Sequence, residues 1–178
     1  MKPILFLIPI IALTLTSILY YYFLKKTTNK KVYHQLVFTI AALAFLFNLI
    51  WELIQIPLYK NGSYSLEHIA FCGLASIADA ILVMLLFFGS AVIFKNLFWI
   101  RDKKWQQIII VILIGGIGAV LGEMRHLSIG SWAYADAMPI IPSLNVGLSP
   151  LLQFMILPIV VYITSFKLSV TKQKNNYL

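Results

Sequence analysis

Charged residues are scarce in this 178-residue chain: they make up 11% of it, whereas hydrophobic residues make up 61%. An ordinary soluble domain carries about 25% charged residues and roughly half apolar ones. This scarcity, with a mean hydropathy of +0.89, excludes such a domain and predicts a polytopic membrane protein. The single cysteine, Cys72, excludes an internal disulfide and says nothing about the redox compartment.

Acidic residues are also few, 6 against 14 basic ones, and the net charge is +8. The basic residues lie in short segments between apolar runs, which favours membrane orientation and anionic lipid headgroups as the explanation and argues against nucleic acid. Five crossings place three basic groups on one side, so we predict an inner-membrane protein with its N-terminus outside and its C-terminus in the cytoplasm. These groups are Lys25, Lys26, Lys30 and Lys31, then Lys95, Arg101, Lys103 and Lys104, then Lys167, Lys172 and Lys174, against Lys2, Lys60 and Arg125 on the other side.

The apolar runs predict an all-α fold, with five transmembrane helices in one bundle that forms a single domain over residues 1–178. The first run has no Ala-x-Ala-like site after it and is followed by tyrosines and lysines, so we interpret it as a retained helix and not a signal peptide. The predicted helices cover about residues 3–24, 35–59, 66–94, 106–126 and 149–166, followed by a basic tail from Lys167 to Leu178.

Two further segments have distinct expected roles. Residues 128–149 are too polar and too interrupted by proline to span a membrane, so we expect an extracytoplasmic interfacial loop between helices 4 and 5. Gly118 and Gly122 of the fourth helix form a small-xxx-small pair, which lets a neighbouring helix approach closely and provides a possible oligomer contact.

A polar stripe runs along the second predicted helix. Asn48, Glu52 and Gln55 are three or four positions apart and share one helix face, which Tyr59 continues. Glu52 lies about 10 Å below the outer end of the segment, at 1.5 Å per residue. An ionisable group at that depth costs a few kcal/mol, so we expect it to face a functional interior site.

Other polar residues are expected at the same depth on the remaining helices, which predicts a pocket in the outer half of the bilayer. The residues assigned to catalysis are Glu52, Asp79, Glu123 and His126. Those assigned to substrate binding are Asn48, Trp51, Gln55, His68, Trp132, Tyr134 and Gln153, and Cys72, Arg125 and Asp136 lie near them.

Each of these residues also has a purely structural interpretation. Glu52 can pair with Arg125 or a histidine and fix helix register. Asp79 can hydrogen-bond Ser76 or Ser90. Structural roles also remain open for Cys72 as a small buried hydrophobe, for His68 as an interfacial histidine, and for Trp132 and Tyr134 as interfacial aromatics.

Three functional classes fit the pocket. The first is acid/base chemistry on a hydrophobic, isoprenoid-type molecule: a carboxyl group in low dielectric favours its neutral form, so Glu52 or Asp79 can act as the acid, and Glu123 or His126 can remove the proton. Aromatic faces would stabilise a developing carbocation. The second is metal or haem binding; no dense Cys/His motif supports it, and we predict no cofactor. The third is non-enzymatic binding or transport of a small solute or protons.

The sequence Phe47-Asn48-Leu49-Ile50-Trp51-Glu52-Leu53 resembles the Asn-x-x-Trp-Glu signature of the integral-membrane terpene cyclases of fungal meroterpenoid and indole-diterpene pathways. The resemblance covers one helix and implies that Glu52 belongs to the acid that starts cyclisation. Those enzymes have seven helices and a second acidic residue late in the chain, for which Glu123 is the candidate here.

A second resemblance covers more of the chain and is to a set of small bacterial inner-membrane proteins. It implies a shared fold and site, and it brings no activity with it. Its motifs are the segment 51–59, then His68, Cys72 and Asp79, then Gly130-Ser131-Trp132-Ala133-Tyr134, Met138-Pro139 and the segment 147–153.

Overall fold

The computed structural model describes residues 7–174, with side chains described as far as Ser169. Over this range the predicted all-α architecture is confirmed, and each of its five long helices is long and apolar enough to cross a membrane. The helices are α1 (Leu7–Lys26), α2 (Lys30–Gln55), α3 (Leu66–Ile93), α4 (Trp105–Ser128) and α5 (Leu148–Lys174). The predicted first residues of helix 1, from Pro3, and the last residues of the tail lie outside the described residues.

Capping explains where the helices begin. The Asn29 side chain accepts a hydrogen bond from the Val32 amide at 3.1 Å, so α2 begins at Lys30 and not near Gln35 as predicted. The Ser65 hydroxyl accepts from the His68 amide at 3.3 Å and caps α3 at the predicted position. At the other end of the chain, α5 continues to Lys174, where the sequence predicted a tail after residue 166.

The helices do not pack in chain order. α3 lies between α1 and α2, α2 lies between α3 and α5, and α4 packs against α5. At one end of the bundle an aromatic core closes this arrangement: Phe87 and Phe88 of α3 and Tyr162 of α5 are fully buried. The Tyr162 hydroxyl donates to the Val83 carbonyl at 2.7 Å. Trp99, from the short 3₁₀ turn Trp99–Asp102 between α3 and α4, is buried in the same core.

The close contact between α4 and α5 depends on Gly115. A Cβ atom at this position would lie 2.3 Å from the carbonyl oxygen of Phe154. Pro158, four residues further along α5, has no N–H to donate to that carbonyl, which leaves it available to approach α4. The glycines predicted to make the close contact, Gly118 and Gly122, have nothing within 4 Å of such a Cβ, so within the described chain that prediction was wrong.

We expect Gly115→Ala to lower the free energy of unfolding by about 1–3 kcal/mol, because the added methyl group would force the backbone of α5 away. Gly118→Ala is the matched control, with space for its methyl group on the same helix, and should be neutral or slightly stabilising. Thermal unfolding of both variants in detergent measures the difference. Equal unfolding temperatures would contradict the close contact.

The strap, residues 129–147, connects α4 to α5 without helix and includes the short strands β1 (Ile140–Ile141) and β2 (Val146–Gly147), which pair antiparallel. It is fixed to the segment just after α2 by backbone hydrogen bonds. The Lys60 amide donates to the Ala133 carbonyl at 2.8 Å, and the Ala135 amide donates to the Leu58 carbonyl at 2.9 Å. These bonds hold the strap across the end of the bundle opposite the aromatic core.

Candidate functional site

A cavity of about 720 Å³ lies beneath the strap. Its walls come from the start of α1, the end of α2, the first half of α3, the end of α4, the start of α5 and the strap itself. Most of the lining is apolar, but three carboxyl groups face it, from Glu52, Asp79 and Glu123. Three helices thus bring three acidic side chains to one apolar cavity, and acidic side chains number only 6 in the chain.

Gln153 of α5 is the central polar residue of the site, with 2% of its surface exposed. Its amide nitrogen lies 3.2 Å from Asp79 Oδ2 and 3.4 Å from Glu52 Oε1. The same nitrogen donates to Asn48 Oδ1 at 2.9 Å. Since one amide nitrogen contacts two carboxyl groups, Glu52 and Asp79 form a close acidic pair, although they lie on different helices.

A second layer of polar groups orients this pair. Gln55 donates to Glu52 Oε1 at 2.9 Å and to Gln153 Oε1 at 3.3 Å, and it accepts from the Ser149 hydroxyl at 3.0 Å. Asn48, which is 1% exposed, donates to the Ala44 carbonyl at 2.7 Å. These amides therefore have fixed partners, and a network of this kind holds the carboxyl groups in one geometry.

Glu123 has a separate set of partners, supplied by the strap. Its Oε2 accepts hydrogen bonds from the Tyr134 hydroxyl and from the Trp132 ring nitrogen, the latter at 3.2 Å. Burial and the bond to Glu123 raise the pKa of Tyr134, so the phenol keeps its proton and remains a donor. Two donors therefore point at Glu123 Oε2, and this oxygen acts as a hydrogen-bond acceptor in the site.

Aromatic rings cover the carboxyl end of the cavity. The His126 ring stacks on Trp132 with centroids 4.2 Å apart, and His126 Nδ1 lies 3.3 Å from the Ser131 hydroxyl. Tyr59 packs edge-on against Trp132 at 6.3 Å. Burial and the nearby carboxyl groups raise the pKa of Tyr59, which therefore stays neutral.

The structure brings most of the predicted site residues together. Glu52, Gln55, His68, Asp79, Glu123, His126, Trp132 and Gln153 all line the cavity, as does Cys72. Asn48 and Tyr134 lie behind the lining and contact it through Gln153 and Glu123. Trp51 is not among the residues that line the cavity, and Asp136 is exposed on the strap.

The hydrogen-bond partners of Glu52 and Asp79 differ from those that the structural interpretations predicted. The hydrogen bonds described for Glu52 go to two amides and not to Arg125 or a histidine. The bond described for Asp79 goes to Gln153, whereas Ser76 donates to the Cys72 carbonyl. Ser149 was not predicted as a site residue. Its position four residues before Gln153, on the same face of α5, could have indicated it.

Metal coordination has little support in the part of the chain that is described. No three His, Cys, Asp or Glu side chains within residues 7–169 lie close enough together to hold an ion. The pair formed by His68 and Cys72 on α3 lines the cavity without a third ligand.

Fold and site together define an all-helical bundle with five helices long enough and apolar enough to cross a membrane, and with a carboxyl-lined cavity under a strap. No protein-family model, no curated protein and no solved structure matches the chain.

Proposed function

We propose that the chain crosses the inner membrane five times, with its N-terminus outside, its C-terminus in the cytoplasm and the strap at the outer interface. The lysines at the ends of α1 and α3 support this orientation, because Phe23 and Phe88 stack at 5.8 Å and place those two helix ends side by side. Cytoplasmic ends of membrane helices are rich in lysine and arginine. The open glycines of α4, Gly118 and Gly122, fit a contact with a second copy.

We further propose that the cavity performs acid/base chemistry on a hydrophobic, isoprenoid-type molecule. One observation carries this proposal: the Glu52–Asp79 pair and Glu123 face the same apolar cavity from different walls, each with its own hydrogen-bond partners. An isomerisation or cyclisation needs an acid at one position of the substrate and a base at another. Three carboxyl groups, from α2, α3 and α4, against one apolar lining support both roles.

The proposed cycle begins with Glu52. Its carboxyl O–H bond breaks as a C–H bond forms at a substrate double bond, leaving a carbocation and a carboxylate. The amides of Gln55 and Gln153 already contact Glu52 Oε1 and stabilise the carboxylate that forms. Trp132 and Tyr59 offer aromatic faces to the cation.

In the second step the carbocation loses a proton. A neighbouring C–H bond breaks, its electron pair forms the new double bond, and the proton moves to Glu123, with His126 one turn along α4 as a second acceptor. Return of this proton from Glu123 to Glu52 restores the starting state. The substrate is then rearranged with no net gain or loss of protons.

The decisive experiment is exchange with heavy water. The protein is reconstituted in vesicles prepared from the lipid extract of its own membranes, incubated in D₂O, and the lipids are analysed by mass spectrometry. Protonation at carbon would introduce deuterium that does not wash out in H₂O. If no lipid gains carbon-bound deuterium but one co-purifies with the protein, the result contradicts acid/base chemistry and favours the non-enzymatic binding or transport alternative.

Tyr134→Phe tests the role of the strap. Loss of the hydroxyl removes one of the two donors to Glu123, so we expect the exchange rate to fall about tenfold, the equivalent of one hydrogen bond of about 1.4 kcal/mol. Tyr21→Phe is the control, since Tyr21 is 60% exposed on α1. An unchanged rate for Tyr134→Phe would remove the Tyr134 hydroxyl from the mechanism.

A further inference from the structure

The outer end and the side of the cavity differ in chemistry. At the outer end the strap is bonded to the segment after α2, and the rim is polar, with Lys60, Asn61 and His68. The side is formed by α3, where Phe71, Leu74 and Ile77 line the cavity and are nevertheless 41%, 43% and 49% exposed. These wall residues are therefore reached from outside the bundle at the depth of the helices.

α3 and α4 make few direct contacts with each other, which leaves room for an opening beside these exposed residues. The two helices approach one another near Leu86 and Gly115, on the side of the aromatic core. They are not neighbours in the packing order, which places α2 and α5 between them. Towards the strap they are separated by the cavity, and its exposed α3 wall carries only apolar side chains.

On the basis of the proposed function, we infer that the substrate reaches the cavity from the bilayer through this opening between α3 and α4, the lateral portal. The portal selects a largely apolar molecule whose one reactive group, an alkene or a small uncharged oxygen function, reaches the carboxyl groups. A charged headgroup would have to give up its hydration along an apolar wall, which is unfavourable.

Cys72 provides a natural reporter for this route, because it is the only cysteine, is 3% exposed and lines the cavity. The probes are phenylmercury and its sulfonated analogue, which carry the same thiol-reactive metal and differ in charge. In phosphatidylcholine vesicles with reagent on both sides, phenylmercury should label Cys72 at least tenfold faster. Cys72→Ser removes labelling, and denaturation in dodecyl sulfate should make the two rates equal.

Two variants locate the route. Ala78 shares the face of α3 formed by Phe71 and Leu74 and lines the cavity, so Ala78→Phe should narrow the portal and slow phenylmercury labelling about tenfold. Ala70→Phe, two turns away and exposed outside the lining, should label like the wild type. If Ala78→Phe does not fold, Leu74→Trp tests the same opening.

Labelling of Ala78→Phe at the wild-type rate would overturn the portal, as would equal rates for the two reagents or no labelling by either. None of these measurements requires turnover. A failed heavy-water experiment therefore leaves the portal standing, and a failed labelling experiment leaves the acid/base chemistry standing.

Discussion

Glu52→Gln should lower carbon–deuterium exchange by about 10²–10⁴-fold, the usual contribution of a positioned general acid. A glutamine at this position keeps an Oε1 atom that can accept from Gln55 and Gln153, so the hydrogen-bond network should survive. The exchange rate should collapse, and the unfolding temperature in detergent should change little. The two measurements are made on the same preparation.

Glu67→Gln is the matched control, because Glu67 is exposed in the first turn of α3 and lies outside the cavity lining. It should retain full exchange. If Glu52→Gln instead keeps its exchange rate and unfolds at a much lower temperature, Glu52 has a structural role and the proposed acid is wrong.

Gln153→Met should give the largest loss of stability, about 3 kcal/mol. The substitution keeps a side chain of similar length but removes the amide that contacts Asn48, Glu52 and Asp79. Each buried polar group left without a partner costs about 1–3 kcal/mol, and not all of them can find new ones. Thermal or denaturant unfolding in detergent reports the difference.

Gln106→Met makes the same chemical change at an exposed position of α4 and should stay within about 0.5 kcal/mol of the wild type. Equal stability of Gln153→Met and Gln106→Met would show that the central amide is dispensable. The acidic pair would then need another source of support.

The helical architecture was predictable because it depends on local sequence. Long apolar runs and caps such as Ser65 determine the helices one at a time, without knowledge of their neighbours. The polar stripe of α2 was predictable for the same reason. The cost of carboxyl groups in apolar helices also correctly indicated that Glu52, Asp79 and Glu123 face a shared interior.

The partners of these groups were not predictable in detail, because they come from distant parts of the chain. Gln153 is separated from Gln55 by 98 residues and from Asn48 by 105. The local sequence does not show which of several glycines meets a neighbouring helix. The close contact of Gly115 depends on the Phe154 carbonyl of α5, which is distant in the chain.

The position of Gln153 on the last helix has a consequence for biosynthesis. Ribosomes make the chain from its N-terminus, so Glu52 and Asp79 are synthesised 101 and 74 residues before the amide that contacts them both. At 5–20 residues per second this interval is roughly 4–20 s. Until α5 arrives, the nascent protein holds an incomplete polar cluster, and quality-control proteases that survey the membrane would meet that cluster in every chain whose translation stops early.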